Sequence, residues 1–371
     1  MDLYTKLKVK PIINAWGTVT KIGGSTMDPE VLEAMTEASR YYVSLSELHN
    51  NAGNEIANMI GVDGAFITSG AAAAITLATA VCIAGSDVEK IYRLPDSDNM
   101  KNEIIMFKSH RFRYDQGVRI CGGKIIEVGL SDLTLTEQIE KAINEKTAMF
   151  LYLAESENLR GSLSLNIVSN IVKKRNIPLV VDAAAELPPV DNFIHYISKG
   201  ADLAIFSGGK DIRGPQSSGL ILGRKDLIDL CKINSSPNHG VCRGMKVDKE
   251  TIIGLTKAIE IYLKKDWKAE FLRYKNLNRY LIESLSNVPW LTLERGYPNE
   301  PGIQPASIER VYITVDSTIA GFSTSDLKLK LEEAKYKIVF GEFHNNIVFN
   351  PQMLTRDDVN IIISEIKSIV N

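Results

Sequence analysis

The residues of this sequence best suited to chemistry come directly after short apolar runs. Lys210 follows the run DLAIF and the segment Ser-Gly-Gly, Asp182 ends the run PLVVD, and the turn at residues 69–71 follows AFIT. In an open α/β sheet the ligand lies beyond the carboxyl ends of the strands, so polar residues at these positions are the first candidates for a site. They supply an amine, a carboxylate and a turn rich in backbone N–H groups.

Lys210 differs from an ordinary surface lysine because it follows an apolar strand and two glycines, with no helical face to project it into water. A partly desolvated lysine at the mouth of a sheet is the type that forms Schiff bases. Phosphate-binding loops of nucleotide enzymes also carry a lysine, but their spacing G-x-x-x-x-G-K-[ST] is absent. The segment therefore favours covalent amine chemistry over nucleotide binding.

Asp182 and the turn at 69–71 each allow more than one interpretation. A carboxylate at the end of a buried strand needs a cation or hydrogen-bond donors, which a protonated ring nitrogen, a metal ion or a helix N-terminus could supply. Backbone N–H groups before the helical pattern 71–84 favour an anion, although such a turn is more often only a helix cap. Taken together, Asp182, the turn at 69–71 and Lys210 predict ligands for the ring nitrogen, the phosphate and the aldehyde of pyridoxal phosphate, in that order.

The elements that must position these residues alternate along the chain. Helical patterns occur at 71–84, 134–145 and 164–176, where Thr134 and Glu137 have capping-box spacing and Ser164 can cap the third helix. Apolar runs typical of strands buried on both faces lie at 65–68, 104–107, 125–128, 148–153, 179–182, 203–206 and 219–222. This alternation predicts an α/β fold with a mostly parallel, doubly wound sheet.

The pattern changes after a long helical region at about 249–287. Strand, strand, helix, strand, strand and helix follow, with VYITV at 311–315 and a last helix at 355–370. We predict a large domain at 1–250, including the N-terminal segment, and a second part at 251–371 with the long helix and a small α+β domain.

Composition limits the class of protein. The 371 residues are 44% hydrophobic and 24% charged, and no stretch approaches the roughly 20 apolar residues that span a bilayer. The N-terminus lacks the apolar core of a secretory signal, so we expect a cytoplasmic protein. The four cysteines stand far apart, without a C-x-x-C pair or a histidine at metal-ligand spacing, so we expect reduced thiols and no metal site.

Four segments together resemble one enzyme family. They are INAWGTVTKIGGS, ITSGAAAA, VVDAAAELPP and FSGGKDIRGPQSSGLILGRKDLI. The sequence is similar to the selenocysteine-synthase-like pyridoxal-phosphate enzymes, which include bacterial L-seryl-tRNA selenium transferase and D-glucosaminate-6-phosphate ammonia-lyase. The resemblance runs from about residue 10 to the last helix. It implies the aspartate-aminotransferase-like fold, or fold type I: a seven-stranded sheet with helices on both faces and a small C-terminal α+β domain.

The resemblance also implies roles for the site residues. Lys210 would hold the cofactor as a Schiff base and Asp182 would pair with its pyridine nitrogen. His110 falls where fold relatives place a ring that stacks on the cofactor, with an ordinary surface histidine as the alternative. Glu155 or Glu157 would face the phenolic oxygen, and the sequence leaves open which. The phosphate would be held by Ser69, Gly70, Ala71 and Ser207.

Arginines are the candidates for the anionic part of a substrate, because guanidinium binds carboxylate and phosphate through two parallel hydrogen bonds. Arg111, Arg213 and Arg243 are the predicted ligands, whereas Arg119 is better interpreted as a surface residue. The N-terminal stretch that resembles the family adds two further candidates for the pocket wall, Asn14 and Thr18.

The function that we predict is a lyase acting on a small amino acid or amino-sugar acid, by Cα deprotonation, β-elimination and release of ammonia. The alternatives are selenium transfer by β-replacement on a tRNA-bound seryl group, racemisation or other amino-acid chemistry, and a catalytically silent scaffold. A tRNA partner is disfavoured because the recognisable domain begins almost at once and the net charge is −2. The family also implies a homodimer or larger homo-oligomer.

Overall fold

The alternation of apolar runs and helical patterns folds into two sheets with flanking helices. The structure is a computed structural model that describes residues 3–298 and 303–369. Within those residues the strands are β1 Ile12–Ala15, β2 Gly64–Thr68, β3 Glu103–Phe107, β4 Lys124–Val128, β5 Thr147–Leu153, β6 Leu179–Asp182, β7 Leu203–Ser207, β8 Gly219–Gly223, β9 Leu291–Gly296, β10 Arg310–Val315, β11 Lys337–Phe343 and β12 Asn346–Phe349.

Helices follow most of the strands. Within the same residues the α-helices are α1 Leu3–Lys6, α2 Pro29–Ala38, α3 Leu45–Ile60, α4 Ala71–Ala84, α5 Val88–Arg93, α6 Gln116–Ile120, α7 Thr136–Ala142, α8 Leu165–Lys173, α9 Asn192–Ser198, α10 Lys225–Asn234, α11 Lys249–Lys264, α12 Trp267–Leu285, α13 Ser317–Ala320, α14 Thr324–Glu333 and α15 Arg356–Ser368. None of the described helices is both long enough and apolar enough to cross a bilayer.

The larger sheet contains all seven strands that the apolar runs predict. Its order is β2-β8-β7-β6-β5-β3-β4, and every pair is parallel except those that β8 makes with β2 and β7. Strands β5 and β6 are buried along their whole length, which is why they appear in the sequence as continuous apolar runs without alternation. The predicted α/β class with a mostly parallel sheet is confirmed.

The smaller sheet has the order β1-β11-β12-β10-β9, with β1 parallel to β11 and the other pairs antiparallel. Its apolar side chains share a core with those of α12, α14 and α15. The predicted order of strands and helices after the long helical region is therefore present, with α13 added before α14.

The chain divides into two compact units. Residues 27–265 form the first, and residues 3–26, 266–298 and 303–369 form the second. The boundary that the sequence predicts near residue 250 falls at the start of α11, whereas this division falls at its end. The N-terminal segment, predicted to belong with the large domain, instead joins the second unit because β1 pairs with β11.

Two local predictions are wrong. The helical region at 249–287 is two helices, because the Asp266 side chain caps a new helix by accepting a hydrogen bond from Ala269 N at 3.0 Å. Thr134 makes no capping box, since its hydroxyl donates to Gly161 O at 2.7 Å and α7 begins one residue later than that box requires. Ser164 is the N-cap residue of α8, but its side chain makes no capping hydrogen bond.

Candidate active site

The register of three neighbouring parallel strands brings the predicted site residues to one edge of the larger sheet. Leu153 of β5 pairs with Asp182 of β6, and Asp182 pairs with Ile205 of β7. The residues that follow these strands therefore leave the sheet side by side. Glu155 and Lys210 lie in those segments, and both are within electrostatic range of Asp182.

Asp182 is 5% exposed, and its Oδ1 accepts a hydrogen bond from Ala184 N at 3.0 Å. Burial raises the pKa of Asp182 to about 6, opposed by the Ala184 hydrogen bond and by the positive charge of Lys210. A buried carboxylate with so few donors is suited to a cationic partner. A protonated ring nitrogen would lower its pKa again and stabilise the charged form.

Lys210 is held by the loop between β7 and β8, which folds back on itself. Gly208 N donates to Ser218 O at 2.9 Å, and Arg213 N donates to Lys210 O at 3.0 Å. A Cβ on Gly209 would lie 2.6 Å from the backbone of Gln216, so the close approach requires glycine there. Burial lowers the pKa of the Lys210 amine, against the attraction of nearby carboxylates. This shift makes the neutral, nucleophilic form of the amine easier to reach than in an exposed lysine.

The structure distinguishes the two glutamates after β5. Glu157 Oε1 accepts a hydrogen bond from Leu165 N at 3.1 Å, which ties it to the start of α8. Glu155 instead acts electrostatically on both Asp182 and Lys210. Of the two, Glu155 is the one that belongs to the Lys210 cluster.

A further carboxyl group, Glu186, was not a candidate from the sequence. Burial, with Glu155 as the next contribution, raises the pKa of Glu186 to about 8, and Lys210 opposes this. One sequence feature could have pointed to Glu186. It is an acidic residue four positions after Asp182, in the segment that follows the end of the same strand. The site thus contains three carboxyl groups and one amine.

The predicted phosphate turn lies at the same end of the sheet. Thr68 of β2 and Ser207 of β7 both pair with Gly219 of the intervening β8. A Cβ on Gly219 would lie 2.4 Å from the carbonyl carbon of Gly70, so glycine keeps the turn against the sheet. Gly70 itself has φ of +131°, which favours glycine.

Amide groups of the first turn of α4 are available to an anion. The first intrahelical bond runs from Ala74 N to Gly70 O, and the first turn has no acidic side chain. The Ser69 hydroxyl donates to Met245 O at 3.2 Å. The structure therefore places Ser69, Gly70 and Ala71 together with Ser207, as a phosphate cup would require, and also joins Ser69 to the loop before α11.

His110 requires a correction. Its ring is fully buried, Nδ1 accepts a hydrogen bond from Leu153 N at 3.0 Å, and Nε2 lies 2.9 Å from Ser162 Oγ. Phe107 and Tyr152 pack edge-on against it. Burial lowers the pKa of His110 to about 3, so the ring is neutral. An imidazole with no exposed face does not suit the predicted stacking on a cofactor, and the structure makes it an internal link instead.

The candidate arginines separate into two groups. Arg111 forms ion pairs with the buried Asp115 and with Glu127, and Arg119 also binds Asp115, at 2.7 Å. The predicted substrate role of Arg111 is therefore disfavoured, because a substrate anion would have to displace two carboxylates.

Arg213 and Arg243 fit a substrate role better. Arg213 lies in the loop that holds Lys210, at φ of +58°. Arg243 is exposed in the loop whose Met245 carbonyl binds Ser69.

Asn14 and Thr18 belong to the second unit. The Asn14 side chain accepts hydrogen bonds from Trp16 N at 3.0 Å and Gly17 N at 2.9 Å, and its Nδ2 donates to Gly17 O at 2.8 Å. Asn14 thus shapes the turn that follows β1. Thr18, which follows that turn, is partly exposed.

Comparison with known proteins agrees with this geometry. A family model described as L-seryl-tRNA selenium transferase matches residues 12–285. A D-glucosaminate-6-phosphate ammonia lyase of Salmonella typhimurium is 30% identical over 376 aligned residues, which cover 99% of this chain and 98% of that protein. A 5'-C-glycyluridine monooxygenase-decarboxylase of Streptomyces is 29% identical, covering 99% of this chain and 92% of that protein.

Solved structures give the same result. A structure of D-glucosaminate-6-phosphate ammonia-lyase superposes with a TM-score of 0.88 at 29% identity, covering 100% of this chain and 98% of that one. A serine palmitoyltransferase of Sphingomonas wittichii superposes with a TM-score of 0.60 at 12% identity over 96% of this chain and 86% of that one, which shows the shared fold alone. The predicted aspartate-aminotransferase-like fold of type I is confirmed. The chain therefore belongs to the L-seryl-tRNA selenium transferase family and is an enzyme of the pyridoxal-phosphate-dependent lyase and transferase kind.

Proposed function

We propose that this enzyme is a lyase that removes a β-substituent from a small amino acid or amino-sugar acid and releases ammonia. The observation that carries the proposal is the pair formed by the buried Asp182 and the partly buried Lys210, beyond the carboxyl ends of the adjacent parallel strands β6 and β7. Similarity to an ammonia lyase along 99% of the chain supports the same reaction class.

The described residues fit pyridoxal 5'-phosphate as the cofactor. Asp182 would accept a hydrogen bond from the pyridine nitrogen and Lys210 would bond to the aldehyde. The phosphate would be bound by Ser69, Gly70, Ala71 and Ser207. When bound, this cofactor withdraws electrons from the Cα of an amino-acid substrate.

Side chains of the protein would carry out the proton transfer and bind the substrate. Lys210 would be the base for the Cα proton, because burial lowers the pKa of its amine. Asp182 would hold the electron-withdrawing ring in place. Arg213 and Arg243 are the proposed ligands of the substrate's carboxylate or phosphate, since each belongs to a loop that also fixes a cofactor-binding residue.

The covalent role of Lys210 has a direct test. Purified enzyme loaded with pyridoxal 5'-phosphate should show a visible absorbance band that borohydride abolishes, and peptide mass spectrometry should locate the reduced adduct on Lys210. Lys210→Ala should lack the adduct, whereas Lys199→Ala, at an exposed position, should retain it. An adduct on another lysine, or none at all, contradicts the assignment.

The reaction class needs a separate measurement. D- and L-amino acids and phosphorylated amino-sugar acids should be screened for release of ammonia and a 2-oxo acid. We expect at least one 2-amino-3-hydroxy acid to give both products, and Lys210→Ala to give neither. Racemisation or β-replacement without ammonia release would contradict the lyase proposal.

We propose in addition that the chain acts as a homodimer or larger homo-oligomer. The support is an unbroken apolar segment at the surface of the first unit, where Tyr41, Tyr42 and Val43 are all exposed. Such a segment is typical of an interaction surface.

A further inference from the structure

Glu186 is fixed beside the Lys210 cluster by the backbone of the turn after β6. Ala183 N donates to Ile205 O of β7 at 2.9 Å, and Glu186 N donates to Ala183 O at 3.1 Å. Asn192 Nδ2, at the start of α9, donates to Glu186 O at 2.6 Å. The turn is therefore held at both ends, which fixes the point where the Glu186 side chain leaves the backbone. Its carboxyl lies within electrostatic range of Glu155, Lys210 and Asp182.

The surroundings of Glu186 favour its protonated form. Burial and the negative charges around it raise its pKa to about 8, so at neutral pH most of the carboxyl carries a proton. Asp182, with a pKa of about 6, is mostly ionised at the same pH. The groups that face Glu186 electrostatically are Glu155, Lys210, Asp182, Glu157 and Tyr196.

The proposed reaction needs such a proton. Hydroxide is a poor leaving group at neutral pH, and a positioned acid that protonates the departing oxygen accelerates such steps by about 10²- to 10⁴-fold. Lys210 takes a proton from Cα, so a second group that is already protonated avoids using one amine for both transfers. Glu157 is occupied by Leu165 N, so Glu186 is the better-placed donor of these two.

We propose that Glu186 donates the proton to the departing β-oxygen of the substrate. The inference rests on the lyase function proposed above. Lys210 accepts the Cα proton, and the electron pair of the broken Cα–H bond forms the double bond between Cα and Cβ. The bond between Cβ and oxygen breaks with its electron pair going to the oxygen, and the Glu186 proton completes a water molecule. Before the next turnover the Glu186 carboxylate regains a proton from solvent and Lys210 gives up the proton that it accepted.

Leaving-group dependence tests this role. Wild type and Glu186→Gln are compared on serine and on 3-chloroalanine, each as both enantiomers, and on the hydroxy acids that the substrate screen identifies, by release of ammonia and 2-oxo acid. Chloride departs without a proton, so the variant should lose about 100-fold or more in kcat on hydroxy acids and little on 3-chloroalanine. Glu186→Asp should recover part of the loss. Glu157→Gln, whose amide oxygen can still accept from Leu165 N, should keep the wild-type ratio between the two substrates.

The possible results distinguish a failure of the Glu186 role from a failure of the proposed lyase function. An equal loss on both substrates makes Glu186 structural and overturns the inference. A wild type that acts on 3-chloroalanine and on none of the hydroxy acids overturns it as well. A wild type that releases ammonia from none of these compounds overturns the lyase proposal instead.

A cofactor-free measurement checks the protonation itself. Protein without cofactor, labelled with ¹³C at the glutamate carboxyls, is titrated by NMR from pH 5 to pH 10. We expect one carboxyl to titrate at about pH 8 and its signal to be missing from Glu186→Gln. If every glutamate carboxyl is already ionised at pH 7, the proton that the inference requires is absent and the inference fails.

Discussion

At the scale of single residues, burial sets the charges of this site. It raises the pKa of Asp182 and Glu186 and lowers that of Lys210. For Asp182 and Lys210 it outweighs the attraction between their opposite charges, and for Glu186 the nearby carboxylates add to it. Without a bound cation, the three groups together oppose a compact folded state. Groups held in this way at the cost of stability are typical of functional sites.

Asp182→Asn should stabilise the protein in the absence of cofactor. Each pKa unit corresponds to about 1.4 kcal/mol, so ionised Asp182, whose pKa rises from 3.8 to about 6, costs on the order of 2–3 kcal/mol at pH 7. Asparagine carries no charge and can still accept the hydrogen bond from Ala184 N. We expect the free energy of unfolding of the variant to rise by about 1–3 kcal/mol at pH 7, measured by urea denaturation.

The pH dependence of this gain in stability follows from the upward shift of the Asp182 pKa. The folded state binds more protons than the unfolded state between pH about 4 and about 6, so wild-type stability falls as pH rises through that window. The difference in the free energy of unfolding between variant and wild type should reach its full value above pH 6 and vanish near pH 4. In the presence of pyridoxal 5'-phosphate the order should reverse, because the variant loses the ring-nitrogen contact. A variant that is less stable without cofactor at pH 7 contradicts this account.

At the scale of elements, the loop between β7 and β8 depends on close backbone approach. A Cβ on Gly209 would lie 2.6 Å from the Gln216 backbone, which cannot move as a flexible side chain can. We expect Gly209→Ala to lower the free energy of unfolding by about 1–3 kcal/mol, as overpacking does, and to weaken retention of pyridoxal 5'-phosphate on dialysis. Gly244→Ala is the matched control, since its Cβ would meet nothing within 4 Å. Equal stability of the two variants would show that the loop can relax.

Sequence periodicity predicted the larger sheet because six of its seven strands are buried along all or nearly all of their length. Such strands appear as apolar runs whatever their neighbours, and all seven were found. The edge strand β4, predicted to be buried on both faces, is instead buried only at Val128. The pairing of β1 with β11 was missed because it depends on two segments more than 300 residues apart in the chain. The break between α11 and α12 was missed because both helices continue the same apolar pattern, and a single aspartate cap separates them.

The candidate site residues that the sequence indicated are those whose location follows from their position at the end of a strand. Lys210 and Asp182 stand at the ends of apolar runs, so sheet topology alone brings them to one edge. The burial of His110 and the ion pairs of Arg111 depend on long-range side-chain contacts that no local pattern shows. Glu186 was overlooked for the same reason, since its charged neighbours Glu155 and Lys210 lie in the segments that follow β5 and β7.

At the scale of the whole molecule, the apolar surface of the first unit predicts self-association. Tyr41, Tyr42 and Val43 are consecutive and exposed, and Tyr42 is fully so. Light scattering of the purified protein should give a mass of at least twice the 41.1 kDa of one chain. Tyr42→Glu should shift that mass toward one chain, because a charge in an apolar contact must be desolvated, whereas Tyr114→Glu, at another exposed tyrosine, should not. A wild type that remains a single chain at micromolar concentration would show that the segment serves another purpose.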